Sequence, residues 1–314
     1  MVCIAAAAIM FFNRQFIVDQ LSVWQYQPSN DLALLAQRAT MSDSGKFYFY
    51  TSHPSIEGAE KFNQECTKQE ENTAILGCYN SQKIFIYNVT DTKLDGIKEV
   101  TAAHEMLHAA YSRLSSDEKS KLGALLEDEY EKLKNNAEFS ERMAFYARTE
   151  PGERANELHS IIGTEVTAIS PKLEEYYKKY FSNRSSLVAL HDKYASVFLA
   201  LQKRNDELAT QLETLRIKID AEVPQYNTGV NQLNNDISAF NTKASSGGFN
   251  SQAQFQAERN TLLSRARQLE SARGSINADV TWYNQLRDEL LAIASQSEAL
   301  NRSINSSLAP APSL

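Results

Sequence analysis

Apolar residues recur along this chain with two different habits, and the change between them divides it. From Leu187 they fall at Leu190, Tyr194, Val197, Leu201, Leu208, Leu212, Leu215 and Ile219, and continue to Phe240. The steps are mostly three and four, which over many heptads predicts a coiled coil. The pattern pauses at Ser245-Ser246-Gly247-Gly248 and resumes from Phe255 to Ile304, behind a Ser251…Gln254 capping box. Two such segments joined by a glycine loop predict an antiparallel hairpin with arms of roughly 80–100 Å. A parallel coiled coil between two chains is the alternative. Pro224 should kink or break the first arm. The tail from Ala309, with Pro310 and Pro312, is expected to fray.

Before residue 171 the patterns are shorter and mixed. Residues 14–40 read as amphipathic helix broken at Pro28, with Phe16, Ile17, Leu21 and Trp24 on one side. The aromatic run at 46–52 reads as a strand. Pro54 is expected to open a helix reaching about Cys66. Residues 72–79 and 83–89, separated by Asn80-Ser81-Gln82, predict a β-hairpin. A helix from about Asp95 to Leu114 follows, with Val100, Ala103, Leu107, Ala110 and Leu114 on its buried side. Ser115 and Glu118 form a capping box for a helix to about Lys134, and another covers Glu138 to Tyr146. Pro151 is read as a first helical residue, of a helix to about Ile169, and Ser170-Pro171 repeats the signal.

Composition supports this picture. Only 11 glycines and 7 prolines in 314 residues favour helix. A net charge of -7 gives a nucleic-acid partner no electrostatic support. Met1–Phe12 is apolar, but twelve helical residues reach only about 18 Å of the roughly 30 Å hydrocarbon core. The expectation is a chain that begins inside a longer membrane anchor; a short buried helix is the alternative. Cys66 and Cys78 flank a short loop and read as a disulfide in a domain outside the cytosol, or else as two unrelated buried thiols.

Candidate chemistry concentrates in His104-Glu105-Met106-Leu107-His108, which holds two of the five histidines. Residues four apart share a helical face, so both imidazoles can meet one ion. Glu105 sits beside that ion, where a carboxylate can take a proton from bound water. A catalytic zinc generally has three protein ligands. The next histidine is His159, in a helical stretch that also offers Glu157 and Glu165.

The first motif, followed about fifty residues later by Asn156-Glu157-Leu158-His159-Ser160, resembles the gluzincin zinc peptidases. Their thermolysin branch writes the second helix as NExxSD. Asn156, Glu157 and Ser160 match, and Ile161 stands where that branch has an Asp holding a histidine ligand. The resemblance covers about residues 72–170. It implies His104, His108 and Glu157 as zinc ligands and Glu105 as general base. It also implies a His or Tyr that donates to the oxyanion, for which His159 and Tyr146 are candidates and Tyr111 a weaker one. His159 as third ligand, with Glu157 behind it, is the alternative, and Glu165 ranks third. The strand at 83–88 is a candidate for pairing with extended substrate.

The fold expected is therefore α+β, mainly α. Residues 1–24 are an apolar segment that reads as a truncated anchor, and 25–170 a small zincin-like domain with a short β-hairpin. Residues 171–306 are the coiled-coil hairpin with its tip near 244–250, and 307–314 a flexible tail. The function expected is a zinc metallopeptidase acting on protein or peptide, extracytoplasmic and tethered at its N-terminus, with self- or hetero-association through the coiled coil. The alternatives are an envelope scaffold with an inactive zincin-like domain and, more weakly, a hydrolase of cell-wall peptide cross-links.

Overall fold

The structure is a computed structural model that describes residues 14–66, 75–149 and 151–307. The expected anchor over Met1–Phe12 and the tail from Leu308 lie outside the described residues. Among the described residues no helix is long and apolar enough to cross a membrane. The chain divides into two compact units, Met1–Leu199 with Glu298–Leu314, and Ala200–Ser297. Among the described residues 77% are helical and one three-stranded sheet is present, so helix dominates an α+β fold.

In the first unit, α1 (Arg14–Gln25) and α2 (Asn30–Arg38) flank Pro28, and α3 follows at Asp43–Thr51. The strand expected at 46–52 is therefore helix. Ser42 caps it by accepting from the Gly45 N–H at 3.1 Å, and Phe49 is fully buried, so capping and packing override the aromatic run's β preference. The helix expected from Pro54 is instead a strand, β1 (Ser55–Glu57), and a helix, α4 (Ala59–Glu65). Then come β2 (Gly77–Asn80) and β3 (Lys83–Tyr87), the hairpin the sequence predicts. Its two turn residues, Ser81 and Gln82, have φ of 50° and 63°, as a left-handed two-residue turn requires.

The sheet order is β1-β3-β2, with β1 parallel and β2 antiparallel to β3. β3 is thus central, and the expectation that 83–88 receives substrate fails: both its edges are taken. β2 is the edge strand. Leu76 accepts from the Tyr87 N–H at 2.8 Å, and pairs alternate along an antiparallel ladder, so Gly77 and Tyr79 turn their backbone groups to the free edge.

The centre of the unit is α5 (Ile97–Ser112). It packs against α2, α3, α8 and both hairpin strands, so it is buried nearly all round rather than on one side. Ala102, Ala103, Ala109 and Ala110, each 0% exposed, let these neighbours approach. Around it lie α6 (Ser116–Leu133), opened by the expected Ser115–Glu118 capping box, and α7 (Ala137–Thr149). Helix α8 (Arg154–Glu165) starts after a Pro151-Gly152 turn rather than at Pro151, because Gly152 takes a left-handed φ of 100°. Gly163 brings α8 onto α5; a Cβ there would lie 2.6 Å from Leu107 Cδ1 and 2.7 Å from Tyr177 Cε1.

The first unit runs past residue 170. Helix α9 (Pro171–Tyr177) and the start of α10 (Arg184–Ser245) bury Leu173, Tyr177, Tyr180, Phe181, Leu187 and Val188 in it. Helix α11 (Gln252–Ile304) returns its end to α4, where Asn63 and Ser306 exchange two hydrogen bonds of 2.7 Å. In the second unit, the cross-pairs Arg204–Glu289, Lys218–Asp279 and Lys243–Glu258 (2.6, 2.7 and 2.6 Å) run in opposite directions along α10 and α11. Phe240, Phe249 and Phe255 close the tip with rings 5.1–5.3 Å apart. Helix α10 passes through Pro224 without a break.

Gly163→Leu is expected to lower the stability of the metal-free chain by about 1–3 kcal/mol through overpacking between α5 and α8. A shift of the urea midpoint reads it.

Candidate functional site

The N-terminus of α5 is set by Gly96, whose φ of 104° turns the chain into the helix. Asp95 beside it accepts from Arg38 at 2.7 Å and Lys193 at 2.8 Å. The start of α8 is fixed by Arg154, which forks onto Glu127 at 2.8 and 2.9 Å and lies 4.2 Å from the Tyr130 ring. Its far end is covered by Arg184, which donates to the carbonyls of Ile162, Val166 and Thr167 at 3.3, 2.7 and 3.0 Å. These are carbonyls that a helix end leaves unpaired.

Held this way, α5 and α8 bring three predicted residues together. The ligand-capable atoms of His104, His108 and Glu157 all lie within 4.8 Å of one another. Glu157 Oε1 is 3.4 Å from His108 Nε2, and Oε2 is 3.7 Å from His104 Nε2. The imidazoles stand edge to face, 4.7 Å between centroids. Glu157 is 2% exposed, and its Oε2 is buried without a hydrogen bond. Burial pushes its carboxyl up, yet His108 and then His104 more than offset this and hold it below the ordinary carboxylate range. A buried carboxylate of this kind needs a cation or a set of donors to repay its desolvation. Among the described residues its ion pairs are with these two histidines only.

Glu105 is buried next to His104 on α5. Its carboxylate lies against the backbone of β2: a Cβ at Gly77 would come 2.8 Å from Glu105 Oε1. Only a glycine lets the edge strand approach that closely. On the far side, Ser160 Oγ is 3.3 Å from His108 Nδ1. Ser160 therefore occupies the supporting place that Ile161, 1% exposed in the core, does not fill.

His159 is not in this group. It lies two residues past Glu157, on another face of α8, at 0% exposure. Tyr177 stacks on its ring at 5.6 Å, Tyr111, Tyr176 and Tyr180 surround it, and Tyr176 Oη lies 3.1 Å from Nε2. Neither a ligand's role nor an oxyanion donor's is open to it there. Burial, then His108 and His104, push its imidazole down to about 3. Glu165 is not in the group either; it pairs with Arg142 and, at 3.5 Å, with His191. Tyr146 lies half-buried on α7 with its ring 5.4 Å from Phe145, and α7 packs on α8. Cys66 and Cys78 are joined in a disulfide with Cα atoms 5.8 Å apart, which ties β2 to the end of α4.

Two contributors were missed by sequence reasoning. Gly77 borders Glu105, and its only signal is a glycine inside the strand predicted at 72–79. Arg113, at the end of α5, binds Asp19 of α1 with 2.9 and 3.0 Å bonds and donates to the Tyr79 hydroxyl of β2 at 3.1 Å. No protein-family profile, curated protein or solved structure matches the chain.

The depressed imidazole has a consequence for stability. Unfolded, His159 takes up a proton near its ordinary 6.5; folded, only near 3. Its contribution is therefore complete above about pH 6.5 and lost as the pH falls from there toward 3. In chelator-treated protein, His159→Leu should flatten the acid fall in unfolding free energy by up to about 1.4 kcal/mol per pH unit, the one-proton limit. Urea titrations between pH 6 and pH 4 measure it.

Proposed function

We propose that the chain is a zinc-dependent metallopeptidase of gluzincin type, with His104, His108 and Glu157 as ligands and Glu105 as general base. One observation carries this reading: the carboxylate of Glu157, buried between two imidazoles with one oxygen lacking any hydrogen bond. Two imidazoles and a carboxylate, each offering one ligand atom within 4.8 Å of the others, match the three-ligand donor set of a hydrolytic zinc, which keeps one position for water.

Zinc held by His104, His108 and Glu157 would supply a bound water of near-neutral pKa and a Lewis acid for a peptide carbonyl. The residues do the rest. Ser160 Oγ accepts from His108 Nδ1–H, which fixes the tautomer whose Nε2 lone pair faces Glu157. Glu105 takes the water proton on its carboxylate and delivers it to the leaving amine nitrogen. With His159 sealed among tyrosines, the oxyanion donor is sought in Tyr146 or Tyr111. The outer edge of β2, where the backbone groups of Gly77 and Tyr79 face away from β3 and Gly77 borders Glu105, suits an extended peptide added as a further strand. The disulfide favours an oxidising compartment, in keeping with an extracytoplasmic enzyme tethered through Met1–Phe12. The opposed pairs along α10 and α11 support the antiparallel coiled-coil hairpin, a spacer or docking arm for the hydrolytic unit.

Glu105→Gln should retain zinc and lose about 10²–10⁴ in the hydrolysis rate of an unfolded protein substrate. Glu157→Ala should lose the zinc itself. Metal analysis beside a cleavage assay tests both, and a Glu105→Gln chain that cleaves as fast as the parent overturns the reading. Ser160→Ala should weaken zinc binding by about tenfold or more, measured by competition with a chromogenic chelator.

A further inference from the structure

Helix α1 is built inside out. An ordinary surface helix turns its apolar stripe to the core. Here the inward face is polar. Asp19, 4% exposed, is gripped by Arg113; Ser22 Oγ donates to the Thr51 carbonyl at 3.0 Å and lies 2.8 Å from His53 Nε2. The Thr51 hydroxyl donates to the Asp19 carbonyl at 3.1 Å. The outward face holds Phe16, Leu21 and Trp24 at 59, 52 and 82% exposure, with Ile17 and Gln20 between them. At 3.6 residues per turn these positions span an arc of about 140°. Single exposed apolar residues are ordinary, but a continuous face of them marks a surface that something covers.

We propose that α1 is an interfacial helix, seated by this face on a lipid bilayer. Three features select lipid. The face has no charged side chain with which to grip a polar partner: the only acid of α1 is Asp19, turned inward, and the only base is Arg14, at its start. The sequence that leads into Arg14 is the uncharged apolar run Met1–Phe12, which itself favours hydrocarbon. Trp24 lies at the opposite end of α1, and Trp and Arg are residues that favour the headgroup boundary. The opposite face is bound to the unit through Asp19 and Ser22, so α1 lies along the surface rather than across it. Arg113 joins Asp19 of α1 to Tyr79 of β2, so the seat also fixes how the edge strand stands to the lipid.

The inference is independent of the zinc reading, because no readout involves hydrolysis. Full-length chain carrying Trp282→Phe leaves Trp24 as the sole tryptophan. It is mixed with phosphatidylcholine vesicles containing a minor share of phosphatidylglycerol, with and without lipids brominated high on the acyl chain. The expected result is co-flotation with quenching of Trp24 by the brominated lipid, and partitioning weakened about tenfold or more by Phe16→Ser with Leu21→Ser. Flotation with Trp24 unquenched would mean that another segment binds and α1 does not, and overturns the proposal. So does failure to float. A lipid-free dimer that dissociates in the double variant would assign the face to a second copy and overturn it equally.

Discussion

A carboxylate almost wholly withdrawn from bulk water constrains most of the first unit. Glu157 can stay ionised at 2% exposure only if cationic or proton-donating groups face it. Those groups come from a different helix, so α5 and α8 must run close enough for side chains four residues apart on one to meet a single side chain on the other. That distance sets the glycine at 163 and the alanines around His104 and His108. It also explains why both helices are buried on nearly every side: an exposed flank would admit water to the carboxylate and relax the demand.

Helices enclosed in this manner cannot end in bulk solvent, and arginines hold the two ends of α8 in place. Arg154 ties the head of α8 to α6, and Arg184 closes its tail. Arg184 is the first residue of the 62-residue helix α10. The long helix therefore serves the site before it leaves the unit. A boundary at residue 170, drawn from heptad spacing, misses this because a core helix and a coiled-coil helix repeat their apolar residues alike.

The site was legible where a rule of spacing applied. His104 and His108 are one helical turn apart; Glu157 was legible only through the likeness of Asn156–Ser160 to a gluzincin second helix, since no spacing rule links it to the first motif. His159, which the sequence offers as a donor or an alternative ligand, is excluded by the fold: it lies two residues past Glu157, on another face of α8, among tyrosines. The hairpin was legible from its turn, but not which strand is outermost. That depends on β1, three residues long and paired in parallel from a distant part of the chain, which leaves no local trace. The aromatic run at 46–52 misled because its rings are taken up by tertiary packing, Phe49 buried and Phe47, Tyr48 and Tyr50 half-buried, and β preference measures fit to a surface more than a backbone habit. Ser160 as support for His108 could be read only once the distance between the two helices was known.

Cys78 is the residue after Gly77, so the covalent bond to Cys66 is made one position from the strand backbone that borders Glu105. Before oxidation, β2 is held to its neighbours by the hairpin ladder on one side and by packing on α5. After oxidation, its far side is also stapled, and the loop it closes loses freedom it would otherwise have unfolded. The strand beside Glu105 is thus finished by the redox state of the surroundings. Two compartments would hold the same polypeptide with the same ligands in place, and only the oxidising one would hold it with that strand locked.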